Sequence, residues 1–166
     1  MRNMYNQMHP DFTVDRNGYV IVYIDGACPG NGNQGARGGI GVWFGNNHPL
    51  NVSEPLRRHE FIHTNPTNQV AEIKAAIRAC ELLRNYGVQR VVIFTDSQYL
   101  IDSITDWIFT WQSNGWRTFQ GQPVVHKALY EELLFWTRDF DCVEWSHVPS
   151  HYNKADSLAK IGAESY

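Results

Sequence analysis

Four acidic side chains carry the chemistry this sequence could do: Asp25, Glu72, Asp96 and Asp156. Asp25 follows the apolar run 19–24 and Asp96 follows the run 91–95, which puts both at strand ends. In open α/β sheets chemistry collects outside the strand ends, so two such aspartates on neighbouring strands face one crevice. Glu72 keeps step with Ala75, Ala76 and Ala79, small residues that let a helix lie close to a sheet and turn Glu72 inward. Asp156 opens a closing helix beside Ala155 and Ala159. Each acid alone has a structural account. Asp96 serves as a helix N-cap, Asp156 as half of a capping pair with Asn153, Glu72 as a partner of the helix dipole, and Asp25 as an Asx turn. Together they need a counter-charge, because carboxylates about 4–6 Å apart in a half-buried site repel by several kcal/mol. No Lys or Arg lies at these strand ends to supply it. An all-oxygen ligand set without a His–Cys cluster favours Mg²⁺ or Mn²⁺ over zinc. Two such ions roughly 3.5–4 Å apart activate a water and stabilise the leaving oxygen of an in-line phosphoryl displacement.

The elements that must position these acids follow from pattern. Residues 19–24 are β-branched and aromatic, too short for a helix, and read as a central strand ended by Asp25. A glycine- and asparagine-rich turn covers 26–39, and 40–44 returns as a second strand. A third strand falls within 51–63. Residues 67–86 read as a helix: Thr67 caps it, Ile73, Ala76, Ile77, Cys80 and Leu83 recur at helical spacing, and Gly87 stops it. The continuous apolar run 91–95 suits a buried parallel strand. A helix starts just after Asp96, a Trp-rich helical excursion covers 102–116, and a longer helix covers 123–137. A last strand at 142–147 and a helix at 153–162 close the chain. The order implies an α/β fold with a mixed sheet.

Bulk properties bound the class. At 166 residues the chain fits one domain with a full core. We divide it into a polar arm over 1–18 and a catalytic domain over 19–166. Aromatics reach 13%, including six Trp, a share that suggests stacking surfaces beyond packing needs. A formal net charge of −3 argues against a partner held mainly by counterion release. Cys28, Cys80 and Cys142 show neither zinc nor disulfide spacing, which points to reduced thiols in an intracellular protein. Nucleus, mitochondrion and cytoplasm are not distinguished. No run is long and apolar enough to span a membrane, and the N-terminal stretch lacks the apolar run of a signal peptide.

Five stretches in order resemble type 1 ribonuclease H of the cellular eukaryotic kind, over about 19–163. They are Tyr23-Ile24-Asp25-Gly26 with Gly30-Asn31-Gly32, Thr67-Asn68-Gln69 with Glu72, Phe94-Thr95-Asp96-Ser97, Trp107 to Thr118, and His147 to Ala159. The resemblance implies a ribonuclease H-like fold, a five-stranded mixed β-sheet flanked by helices on both sides. It implies a monomeric endonuclease that hydrolyses the RNA strand of an RNA–DNA hybrid and leaves 5′-phosphate and 3′-hydroxyl ends. Two Mg²⁺ ions would serve it, with Mn²⁺ able to substitute. Asp25 and Asp156 would hold the ion that activates water, and Asp25, Glu72 and Asp96 the ion near the leaving group. Cys28 (by main chain), Asn31, Asn68 and Gln69 would line the minor groove of the hybrid. Amides that both donate and accept suit the 2′-hydroxyl that separates RNA from DNA. Tyr99, Trp107 and Trp111 would form a channel for the DNA strand, with the two tryptophans four apart on one helix face. Thr67 and His126 would belong to a DNA-phosphate pocket, Gln98 would lie near the scissile nucleotide, and His151 would aid water activation or product departure.

The chain departs from that pattern in several places. Only four residues separate His151 from Asp156, a shorter loop than the family's, which puts the catalytic role of His151 in doubt. Asn65 and His126 stand where the eukaryotic enzymes have Arg and Asn. The Trp111–Arg117 stretch lacks the usual lysines, which predicts weaker, less salt-sensitive binding. Ala27 precedes Cys28, so no vicinal redox pair exists. Arg57 and Arg58 sit in a lengthened segment that could touch a backbone or be a solvated loop. No separate hybrid-binding module is read in the stretch before Tyr19; such a module belongs to a longer native chain or is absent. Two alternatives remain within the fold, a hybrid-binding module of weak turnover and a reverse-transcriptase RNase H module. A DNA-cutting transposase or integrase relative is disfavoured by the Thr67–Glu72 helix.

Overall fold

The β-branched run after Tyr19 forms β1 (Val20–Ala27), the middle strand of five in a computed structural model that describes residues 10–57 and 66–165. β2 (Gly39–Trp43) and β3 (Val52–Pro55) add antiparallel on one side, and β4 (Arg90–Thr95) and β5 (Cys142–His147) add parallel on the other, giving the order β3-β2-β1-β4-β5. Strand alternation sorts the faces. Val20, Val22 and Ile24, in register with Val91 and Ile93, fill the inner face. α1 (Asn68–Asn85) packs on it through fully buried Ala71, Ala75, Ala76 and Ala79, and α4 (Lys127–Thr137) packs on α1. α5 (Asp156–Glu164) covers part of the opposite face, where Gly39 and Gly41 leave room for it: a Cβ at Gly41 would stand 2.5 Å from Ala155 O. The fold is therefore the expected mixed sheet with helices on both sides.

Several boundaries differ from the sequence reading. β1 continues two residues past Asp25, because Gly26 and Ala27 keep pairing with Ile40 and Gly39. β3 ends at Pro55; Arg58 and Asn65 lie outside the described residues. α4 starts at Lys127 rather than at 123, since Val124 donates its N–H to Trp116 O at 3.0 Å and Pro123 bridges to Arg117. α5 starts at Asp156 rather than at 153, because extended Asn153 spends its side chain elsewhere.

The Trp-rich excursion is one continuous rod: α2 (Gln98–Asp102), a π-helical turn (Ser103–Trp107) and α3 (Ile108–Asn114). Ser97 caps it by accepting the Leu100 N–H. In an unbroken α-helix residues eight apart are rotated by roughly 80°. The wide turn absorbs one residue and brings Tyr99 and Trp107 into edge-to-face contact, with ring centroids 5.1 Å apart.

Candidate active site

At the C-terminal end of the parallel strands, the β1–β4 ladder stops at Tyr23 opposite Phe94, so Asp25 and Asp96 emerge side by side beyond it. Glu72 reaches them because α1 lies almost on the backbone of β1. A Cβ on Gly26 would fall 2.5 Å from both Ala71 C and Glu72 N, so only glycine permits the approach. One ligand oxygen from each of Asp25, Glu72 and Asp96 lies within 4.8 Å of the others. Asp25 accepts the Gly26 N–H at 2.9 Å, and Thr95 directs its hydroxyl at Glu72 across 3.5 Å.

Asp25 is 4% exposed and Glu72 7%, far drier than an isolated carboxylate tolerates. Burial pushes the Asp25 carboxyl up to about 7, with the charges of Asp96 and Asp156 adding to it. Burial, then the charges of Asp25 and Asp96, raise Glu72 well above the usual carboxylate range. The side-chain interaction between the two carboxyls lowers Asp25 and raises Glu72. Among the described residues, no ion pair reaches Asp25, Glu72 or Asp96. An all-oxygen, desolvated, uncompensated triad is the donor set a hard divalent cation fits.

Asp156 stands apart from the triad, on the rim of the same crevice of about 530 Å³. It is held by Lys160, whose Nζ lies 2.9 Å from Asp156 Oδ2. This lysine corrects the expectation that no cation lies nearby; it sits one helical turn beyond Asp156, a spacing the sequence displayed. Two further residues were missed. Asn153 is buried and donates from Nδ2 to Ile24 O at 2.8 Å and to Asp96 Oδ2 at 3.4 Å, while its Oδ1 accepts from Ala155 N at 3.0 Å. It pins the start of α5 to β1 and to a site carboxylate at once. Thr95 is the other, fully buried, and its hydroxyl also accepts the Ser97 N–H at 3.1 Å.

His151 does not join this group. It is exposed on the 3₁₀ turn Ser150–Tyr152 with its ring 4.2 Å from that of Tyr152, and Ser150 takes the place on the crevice wall.

Asn68 and Gln69 line the crevice and also a second, adjoining groove of about 570 Å³. Asn31, Thr67, Tyr99, Trp111 and His126 line that groove too, so it gathers seven of the expected substrate residues, together with Thr118, Val124, Val125 and Tyr130. Asn31 accepts the Asn68 N–H at 2.7 Å, and Thr67 accepts the Val70 N–H at 3.2 Å as the cap of α1. Burial lowers the affinity of His126 for a proton, leaving a neutral ring that donates one N–H. Cys28 lines the crevice, with its thiol donating to Pro66 O at 3.2 Å. Trp111 is 8% exposed and packs on Tyr130 and Trp116, so it is a core residue with one edge in the groove. Trp107 is half exposed beside Tyr99 and lines neither cavity. Gln98 ties its amide to Asp102 at 2.8 Å, and Ser97 lines the crevice next to it.

Residues 17–164 match the RNase H family. The chain is 41% identical to Ribonuclease H1 of Mus musculus over 150 residues, covering 87% of this chain and 50% of that one. It is 38% identical to Ribonuclease H of Pelobacter propionicus, covering 85% and 82%. The chain thus spans about half the length of the mammalian relatives it matches. Among solved structures, RNase H1 from Halobacterium salinarum aligns with a TM-score of 0.64 at 24% identity, covering 90% of this chain and 100% of that one.

Proposed function

The chain belongs to the ribonuclease H family, as a type 1 member, and from that premise we propose that it is a metal-dependent endonuclease that hydrolyses the RNA strand of RNA–DNA hybrids and leaves 5′-phosphate and 3′-hydroxyl ends. The observation that carries this reading is the meeting of Asp25, Glu72 and Asp96 within 4.8 Å, opening onto a groove lined with amides. A protein of the same fold, the foamy viral protease-reverse transcriptase, is seen in complex with an RNA/DNA hybrid.

In this reading Asp25, Glu72 and Asp96 hold one Mg²⁺, and Asp25 with Asp156 holds a second. Bound there, such ions would supply charge stabilisation for an in-line phosphoryl displacement. The chain's own residues do the rest. Glu72 and Asp25, both raised by burial, would bind a cation in competition with protons. Asn153 and Thr95 keep Asp96 and Glu72 aimed inward. Asn68 and Gln69 offer amides to the 2′-hydroxyls on the crevice side, Asn31 does so from the adjoining groove, and Cys28 offers main chain. Thr67 and neutral His126 offer hydrogen bonds to a phosphate of the other strand, which Tyr99, Trp107 and Trp111 flank. Gln98 lies beside the scissile nucleotide. The enzyme acts as a monomer.

Steady-state cleavage of a labelled RNA–DNA hybrid during a Mg²⁺ titration, beside RNA duplex, DNA duplex and single strands, tests this. Hybrid-only, metal-dependent cutting that Asp25→Asn abolishes is expected; cutting that Asp25→Asn leaves intact would discard the reading. The outward position of His151 favours a second possibility, a hybrid-binding module of weak turnover. Tight hybrid binding without measurable cleavage at saturating Mg²⁺ would select it.

A further inference from the structure

The two edges of the sheet are finished differently. β3 is four residues long and ends at Pro55, after which Leu56 donates its N–H to Gly38 O at 2.8 Å. Shortness and proline are two means by which an edge strand avoids pairing with other chains. β5 has neither. Its six residues, Cys142-Val143-Glu144-Trp145-Ser146-His147, keep unbroken register with β4 and hold no proline, lysine or bulge.

The backbone groups of β5 divide by alternation. Cys142 donates its N–H to Gln89 O at 3.2 Å and Val148 donates its own to Thr95 O at 2.9 Å, so Glu144 and Ser146 between them also face β4. The N–H and C=O groups of Val143, Trp145 and His147 therefore point away from the sheet. Among the described residues no hydrogen bond reaches them. A donor and an acceptor thus recur at every second residue, which is the template for an added strand. Side chains along this edge sort by face. Val143 and Trp145, in register with Val91 and Ile93, lie on the inner face, half-buried against the core. Glu144, in register with Val92, lies on the outer face. Glu144 and nearby Asp141 are exposed and have no ion pair among the described residues. Arg90, at the foot of β4, is turned onto the Tyr19 ring at 5.6 Å.

We propose that the open edge of β5 is a docking surface for an extended basic peptide, which adds to it as a further strand. Main-chain bonds to Val143, Trp145 and His147 supply the affinity, and alternation supplies the selectivity. One row of peptide side chains is apolar and lies beside Trp145. The other carries Lys or Arg and lies against Glu144 and Asp141. Charge complementarity names this occupant: a second copy of the strand would bring carboxylates to an edge that is already negative.

Amide hydrogen exchange of the full chain, with and without a synthetic peptide of alternating valine and lysine, tests this. The peptide is expected to slow exchange at Val143, Trp145 and His147 at least about tenfold. Glu144 and Ser146 should be unchanged, since their N–H groups already face β4. Glu144→Lys is expected to raise the Kd of the peptide about tenfold. Val143→Pro removes an outward N–H and spares the β4 ladder, and should weaken binding by about the same factor. If Val143→Pro does not fold, the peptide itself carries the test: N-methyl groups on the residues that face β5 abolish binding, and N-methyl groups on the other set do not. Exchange that the peptide leaves unchanged, or slows evenly along β5, overturns the proposal. So does protection of the same amides that rises with protein concentration without peptide, the sign of a second copy on the edge, or protection produced by hybrid alone. Cleavage is no part of this readout, so its failure leaves the proposed function standing.

Discussion

In the carboxylate crevice each acid is fixed from behind: Asp25 by the Gly26 N–H, Glu72 by Thr95 and by the helix pressed onto Gly26, Asp96 by Asn153, and Asp156 by Lys160. The adjoining groove is assembled differently, from a rod with a π turn and a half-exposed Trp107. The first region stores unfavourable burial and charge, and holds both by close backbone contact. The second stores almost none, and its side chains are free to meet a large, variable surface. Substitutions in the crevice should therefore act on turnover and stability together, whereas those in the groove should act on affinity alone.

The sharpest test of that contrast is Glu72→Gln, expected to lower kcat by about 10³-fold or more with KM little changed. Gly26→Ala comes next. The added methyl meets Ala71 and Glu72 backbone, so it should lower kcat about 100-fold and destabilise the fold by roughly 2–4 kcal/mol in urea melts. A stable, active Gly26→Ala would show that the approach of α1 is not what sets Glu72.

Removing the stored charge should have the opposite effect on stability. Burial lets the folded Asp25 hold its proton up to about 7, whereas the unfolded one holds it only to the ordinary carboxyl value of 3.8. The metal-free protein therefore loses stability as pH rises from about 4 to about 7, and the loss is complete above that. In EDTA, Asp25→Asn should be more stable than the wild type by roughly 2–4 kcal/mol at pH 8 and nearly equal to it at pH 4. Equal urea midpoints at pH 8 would refute the idea of a stored penalty.

Asn153→Ala removes the amide bonds to Ile24 O and Asp96, and is expected to cost roughly 1–3 kcal/mol and about tenfold in kcat. On the other side of the comparison, Trp107→Ala should raise KM about fivefold with kcat and melting unchanged. His151→Ala should change kcat by far less than the roughly 10²-fold of a lost general base.

The acids were legible in the sequence because apolar runs deliver Asp25 and Asp96 to one end of a sheet, and because the alanines beside Glu72 mark a helix face that must lie close. The limits were equally physical. Gly26 and Ala27 read as turn residues, yet pairing with β2 outweighs local preference and carries the strand past Asp25. Asn153 looked like a cap, because nothing local announces that its partners are Ile24 and Asp96. The π turn left no periodic trace, so the meeting of Tyr99 with Trp107 could not be foreseen; that one of Trp107 and Trp111 could belong to the core was legible, but not that it would be Trp111.

The seat of α5 has one more consequence. Because Gly39 and Gly41 offer bare main chain to that helix, its height above the sheet is set by atoms that are missing. Restoring even a methyl group at Gly41 would jack up the whole rod and swing Asp156 away from its fellows. The placement of a carboxylate near one terminus is thus written in two vacant positions near the other.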